Sequence, residues 1–289
     1  MWIELEQYIT QATGQPFSGC RYTPVGGGSI NQAYCLQSNS QRYFVKLNAA
    51  HKLSMFAAEA AGLLEMEASK CIRVPHPITT GVVAEHSFIV LEWIDLGRGT
   101  PQTWYTLGQQ LAQMHTTSSP RGFGWHQSNT IGDTPQLNSW TADWATFFAE
   151  HRIGYQLRLA RHRGGRFSQG AALQAAIPQL LANHHPQPAL VHGDLWSGNA
   201  AFTAAGEPII LDPAPYYGDR EVDVAMTELF GGFPAAFYEG YQQTFPLPPG
   251  YQHRRLLYNL YHILNHFNLF GGGYGGQAER MIETLLASI

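Results

Sequence analysis

Asp194 and Asn199 stand five residues apart in the run Val191-His192-Gly193-Asp194-Leu195-Trp196-Ser197-Gly198-Asn199. That spacing lets one loop present a proton acceptor and, from its far end, an amide oxygen that can reach a metal ion. Gly193 and Gly198 permit the tight backbone such a loop needs. Thirteen residues beyond Asn199, the apolar run Ile209-Ile210-Leu211 delivers Asp212 ahead of Pro213. A strand that carries a carboxylate into a loop is one way to place a hard oxygen ligand for Mg²⁺. That ion takes one or two carboxylates and completes its shell with phosphates and water. The chemistry implied is transfer of a phosphoryl group to a hydroxyl, with Asp194 as base and Asn199 and Asp212 as metal ligands. Either segment alone reads equally well as a capped turn. Both together, in this order, favour the chemical reading.

The upstream residues extend the series. Gly26, Gly27, Gly28 and Ser29 lie between two strand-like runs, where glycines allow backbone N–H groups to approach phosphates closely. Lys46 sits in the apolar strand Tyr43-Phe44-Val45-Lys46-Leu47, so its ammonium group would need a partner if buried. Glu59, in a helical stretch, is the natural one, with Glu65 and Glu67 as rivals nearer the helix end. A strand lysine paired with a helix glutamate is the arrangement that holds the α- and β-phosphates of ATP. Glu92, Trp93 and Ile94 join the two halves of the chain, where the backbone of an edge strand could meet adenine. No GxxxxGK[ST] pattern is present, which excludes a P-loop site.

These residues need strands to place the glycine loop and Lys46, and a helical body to place the rest. The N-terminal part reads as a helix at 2–12, strands at 20–25, 30–36 and 42–47, a helix at 53–69, and strands at 79–83 and 87–93. Gly97, Arg98, Gly99 and Pro101 mark a connector. Beyond it the pattern is helical at 102–116, 139–160, 170–184, 221–231, 234–243, 253–270 and 277–288. Short strands are expected at 190–192 with 200–202, and at 208–211; glycine loops are expected at 164–165 and 271–276. The organisation predicted is α+β and bilobal, a β-rich nucleotide-binding lobe over 1–95 and a mostly helical catalytic lobe over 96–289.

With 289 residues, 44% of them hydrophobic, the chain can build a large core, and a net charge of −4 offers no footprint for nucleic acid. Three dispersed cysteines, Cys20, Cys35 and Cys71, do not form a disulfide framework and suit a reducing cytoplasm. Cys35 is expected to be a buried, inert thiol. Glu4 and Glu6 argue against a signal peptide, and no apolar run is long enough to span a membrane. His262 and His266, spaced i and i+4, lack the companions a metal site requires. His184 and His185 read as a polar loop, and Arg158, Arg161, Arg163 and Arg166 as a contact for phosphate or an anionic substrate or, more commonly for such a cluster, as a solvated basic face.

The segments PVGGGSINQAY (24–34), YFVKLN (43–48), VHGDLWSGN (191–199), DPAPYYGDREVDVAMTELFGGFP (212–234) and FYEGY (237–241) resemble the fructosamine kinase, or ketosamine-3-kinase, family. That family is related to aminoglycoside phosphotransferases and choline kinases and has a protein-kinase-like fold. The resemblance implies phosphorylation of the 3-hydroxyl of a small or protein-bound ketosamine, using ATP and Mg²⁺, in deglycation repair by a cytoplasmic monomer. It further implies that Asp194 and Trp196 contact the substrate, Trp196 as a sugar platform, and that Asp223 braces the catalytic loop. Many relatives carry cysteine where this chain has Ser29, so a thiol switch in that loop is not expected. Three other readings compete: a different small-molecule kinase of the same fold, a degenerate nucleotide-binding module, and a protein kinase. Trp196 and the FGGFP stretch count against the first, the intact set Lys46, Asp194, Asn199 and Asp212 against the second, and the missing DFG and APE motifs against the third.

Overall fold

The structure is a computed structural model that describes residues 1–26 and 30–289. Gly27, Gly28 and Ser29 of the expected phosphate loop lie outside the described residues. The chain forms two compact units, Met1–Thr100 with Ala201–Asp212, and Pro101–Ala200 with Pro213–Ile289.

The first unit begins with α1 (Trp2–Thr13), which Gly14 ends in the left-handed conformation. Then come β1 (Arg21–Val25), β2 (Gln32–Ser38), β3 (Gln41–Ala49), α2 (Leu53–Ser69), β4 (Pro77–Val83) and β5 (His86–Glu92). The five strands form one antiparallel sheet in the order β1-β2-β3-β5-β4. Strand alternation assigns the faces. Val45 and Leu47 join Leu5, Ile9, Phe17 and Phe88 in the core beneath α1. Lys46, between them, therefore points to the opposite face. There it reaches Glu59 of α2 and is itself buried to 5% exposure.

In the second unit, α3 (Pro101–Met114) leads to a hairpin of β6 (Asn129–Ile131) and β7 (Thr134–Gln136). Next come α4 (Trp144–Phe147), a wide π-helical stretch at Phe148–Gly154, α5 (Tyr155–His162), α6 (Gly170–Leu180) and β8 (Ala189–Val191). The chain returns to the first unit as β9 (Ala200–Phe202) and β10 (Pro208–Ile210), which pair with each other. It then completes the second unit with β11 (Tyr216–Gly218), α7 (Glu221–Thr227), α8 (Ala235–Thr244), α9 (Tyr251–Phe270) and α10 (Tyr274–Ala287). Among the described residues, no helix is long and apolar enough to cross a membrane.

Several expectations are corrected here. The strand at 189–191 pairs with 216–218, and 200–202 pairs with 208–210, so the two short strands expected to go together belong to separate ladders. The hairpin at 129–136 was not foreseen, because three-residue strands carry too little alternation to stand out. The helix expected over 139–160 begins at Trp144, where Asp143 caps the N–H of Thr146. Gly275 and Gly276, expected in a loop, lie inside α10. β5 runs between β3 and β4 and is therefore not an edge strand.

One helix contact bears directly on the site. A Cβ on Gly108 of α3 would fall 2.0 Å from the carbonyl oxygen of Phe237, and one on Gly240 of α8 would fall 2.1 Å from that of Tyr105. The two backbones are thus in close approach, and this sets the spacing of His115, just past α3, from Tyr241 of α8. Gly108→Ala adds helix propensity but forces the pair apart. It is expected to destabilise the protein by about 1–3 kcal/mol, read as a lower Tm in thermal unfolding. An unchanged or raised Tm would contradict the packing described.

Candidate active site

The first unit holds a compact charge cluster. Lys46 Nζ donates to Glu59 Oε1 at 2.7 Å and to Asp212 Oδ1 at 2.6 Å. Burial opposes the ammonium charge, but the carboxylates of Asp212 and Glu59 more than offset it, so the Lys46 pKa lies above that of a free lysine. Burial also pushes the Glu59 carboxyl up, and Lys46 holds it back. Asp212 has φ of 53°, a left-handed conformation rare outside glycine. Its side chain is 55% exposed, against 12% for Glu59. Asp212 therefore combines the bond to Lys46 with an open side. The Lys46–Glu59 pair matches the sequence expectation; Glu67 instead meets His76. The bond from Lys46 to Asp212 was not foreseen.

The nucleotide residues proposed for the inter-lobe segment are placed less simply. The Glu92 N–H donates to the His76 carbonyl, and its carboxylate accepts from the His76 N–H and from Arg73. Trp93 is half-buried, donates to Asp95 and lies 5.5 Å from the Arg42 guanidinium; Ile94 is half-buried beside it. The N–H and the carboxylate of Glu92 thus bond within the unit, and Glu92, Trp93 and Ile94 stay candidates for a purine contact through their other groups. Gly26 is exposed, and among the described residues nothing lies within 4 Å of where a Cβ on it would stand.

The second unit holds the loop from His192 to Asn199. Asp223, 1% exposed on α7, accepts from the N–H of His192 at 2.6 Å and that of Gly193 at 2.8 Å. Its Oδ2 also meets His115 Nε2 at 3.0 Å. His115 Nδ1 meets the Tyr241 hydroxyl, which accepts from Arg220. Asp223 thus braces the loop as expected, while His115, Tyr241 and Arg220 carried no local signal. At the far end, Asn199 Nδ2 donates to the Asp194 carbonyl at 2.9 Å, and the Asn199 N–H to the Trp196 carbonyl. These bonds fix the loop around Trp196, whose ring is 40% exposed. A Cβ on Gly198 would fall 2.3 Å from that ring, so glycine is what lets the indole fold across the turn. Trp196 is not a core residue.

Other candidates resolve as structural. Among the described residues, His184, Asp219 and Glu221 converge closely enough to hold a metal ion. However, Asp219 already accepts from His184 and Tyr258, and Arg254 bonds both oxygens of Glu221. His184 lies in the loop expected there, with its ring turned onto Asp219 as a packed partner. Burial pushes His262 down to about 3, so it stays neutral. Cys35 is half-buried rather than enclosed, although burial still raises its pKa; burial and Glu6 push Cys20 up to about 12. Arg158, Arg161, Arg163 and Arg166 are all exposed.

Asp223 gives the unit a readable pH signature. Burial alone would raise its pKa, but the hydrogen bond from His115, the charges of His115 and His192, and the Gly193 N–H bring it below the ordinary 3.8. A depressed carboxylate stabilises above its unfolded pKa, and that contribution is lost as pH falls through the folded value. Asp223→Asn is thus expected to lower Tm at neutral pH. The gap to wild type should hold down to 3.8 and close below it. A gap that widens in acid would contradict the assignment.

The sequence pattern of the family described as fructosamine kinase matches residues 1–288. The chain is 59% identical over 285 residues to a Synechocystis protein named probable ketoamine kinase, covering 99% of this chain and 97% of that one. It is 43% identical over 290 residues to the chloroplastic protein-ribulosamine 3-kinase of Arabidopsis thaliana, covering 99% of this chain and 86% of that one. A crystal structure from Haemophilus somnus, described as that of a fructosamine-3-kinase, superposes with a TM-score of 0.93 at 30% identity, over 99% of this chain and 98% of that one.

Proposed function

The chain belongs to the fructosamine kinase family, and from that premise we propose that it transfers the γ-phosphate of ATP to the 3-hydroxyl of a ketosamine. The observation that carries the substrate side is Trp196. An indole held across Gly198 at 40% exposure, two residues from Asp194, offers a flat apolar face to the C–H face of a sugar. Relatives named for ketoamines and for protein-bound ribulosamine support the same substrate class. The phosphorylated adduct would then release its amine, which amounts to deglycation, and the cytoplasm is the expected place of action.

Each residue has one task. Asp194 accepts the proton of the attacking hydroxyl. Phosphoryl transfer through a loose transition state asks mainly for positioning and charge stabilisation, so this base needs no raised pKa. Lys46, held by Glu59, meets the α- and β-phosphates. The glycine segment from Gly26 to Ser29 is assigned to the phosphates from its sequence alone, and Glu92, Trp93 and Ile94 to the purine. Asn199 and Asp212 supply the amide and carboxylate oxygens that suit Mg²⁺, and the exposed side of Asp212 is consistent with that use. Bound there, the ion would neutralise charge on the phosphates. Cys20, Cys35 and Cys71 stand outside these roles.

Steady-state kinetics on two variants test the reading. Asp194→Asn keeps shape and removes the proton acceptor, so kcat is expected to fall by orders of magnitude with ATP affinity nearly intact. Trp196→Ala removes the sugar platform. The KM for ketosamine is expected to rise about 5- to 30-fold, or roughly 1–2 kcal/mol, with the KM for ATP little changed. Undiminished turnover in Asp194→Asn, or an unaltered ketosamine KM in Trp196→Ala, would overturn the respective assignment.

A further inference from the structure

Arg152 lies in the π-helical stretch Phe148–Gly154 and is fully buried, at 0% exposure. Among the described residues, no carboxylate lies within ion-pair distance of it. Its Nη1 donates to the Leu137 carbonyl at 2.6 Å and its Nη2 to Asn138 Oδ1 at 2.8 Å; Nε has no partner. The guanidinium lies 4.0 Å from the centroid of the Tyr216 ring and 4.6 Å from that of Phe147. Aromatic faces and carbonyls ease a buried cation, yet a charge without a carboxylate partner remains costly, and an apolar residue of similar size would avoid that cost. π-helical turns also recur at functional sites.

What Arg152 holds explains its presence. Asn138 Nδ2 donates to Asn129 Oδ1. Asn129 donates to the Pro215 carbonyl at 2.8 Å, and Gln136 to the Ala214 carbonyl at 2.9 Å and to Asn129. Two amides, Asn129 and Gln136, thus grip two consecutive carbonyls of the segment that follows Asp212 in sequence, and Asn138 ties Asn129 to Arg152. Arg152 closes the grip, through Asn138 at one end and the face of Tyr216 at the other. The gripped segment lies directly against the catalytic loop. The Ala214 N–H donates to the His192 carbonyl, Tyr216 pairs with Val191, and a Cβ on Gly193 would stand 2.1 Å from the Ala214 oxygen.

We propose that Arg152 is a positioning residue for phosphoryl transfer, locking Ala214–Tyr216 against the loop that carries Asp194. It acts through the amides and Tyr216 and touches no reactant. The kinetic part of this inference rests on the kinase reading above; the structural part does not. Arg152→Met removes the charge and the donors while filling the volume, and Arg152→Lys keeps the charge and an N–H donor group but not the planar fork.

Two measurements test it on variants whose cooperative thermal unfolding shows them folded. Amide hydrogen exchange is expected to quicken at Gly193, Asp194, Ala214 and Tyr216 in Arg152→Met, while the α1 and β5 amides keep wild-type rates. In steady state, kcat of Arg152→Met is expected to fall roughly ten- to a hundredfold with the KM for ATP within about twofold, and Arg152→Lys is expected to keep part of the lost rate. Wild-type exchange at those four amides would overturn the clamp. So would a wild-type kcat in folded Arg152→Met, or a rate in folded Arg152→Lys no higher than that of Arg152→Met. If wild type itself failed to phosphorylate ketosamine while the exchange result held, the function proposed above would fall and the clamp would stand.

Discussion

A carboxylate taken out of water must be met by donors on every side, and Asp223 is the one around which the second unit is arranged. Its two oxygens receive the N–H groups of His192 and Gly193 and the ring of His115. This bonding fixes the backbone immediately before Asp194, and the helices around it keep Asp223 in place. Helices α3 and α8 approach through Gly108 and Gly240 so that His115 can reach both Asp223 and Tyr241. α7, with all of its residues buried, supplies the rigid support for the carboxylate.

The two buried cations discussed above answer the same electrostatic demand differently. Lys46 is compensated by Glu59 and Asp212 and so holds Asp212, the carboxylate proposed for Mg²⁺, at the end of its strand. Arg152 has aromatic faces and carbonyls instead of carboxylates, and its hold passes through neutral amides. A directly paired cation fixes a single side chain. A network of amides fixes a stretch of backbone, since each amide can accept at one end and donate at the other. Ala214–Tyr216, gripped by its carbonyls, is held in this second way. The α+β protein-kinase-like fold thus carries, in each unit, a buried charge next to a segment that bears a proposed reacting or metal-binding carboxylate.

Much of this was legible because it is local in sequence. The interval from Asp194 to Asn199, the strand ending at Asp212 and the strand lysine each sit within a few residues of their defining pattern, and Glu59 lies thirteen residues from Lys46. The brace at Asp223 came from the family resemblance and not from periodicity. What escaped was long-range. His115 lies 108 residues from Asp223, and Gln136 lies 78 residues from Ala214. Amides scattered over short strands leave no period, and nothing in the run around Arg152 distinguishes a buried guanidinium from the exposed arginines that follow it. Strand pairing failed for a related reason. Three-residue strands such as 189–191 and 200–202 do not fix their partners by hydrophobic pattern, so sequence proximity is a poor guide to which ladder each joins.

The central claim is that the reaction places phosphate on the third carbon of a ketosamine. Phosphorus–proton correlation NMR on the product formed from ATP, Mg²⁺ and a synthetic ribulosamine tests this most directly. The account predicts a phosphorus resonance coupled to the proton on carbon 3, one ADP formed per phosphate transferred, and later release of the free amine. Phosphate on any other carbon, or ADP formed without a phosphorylated sugar, would contradict it.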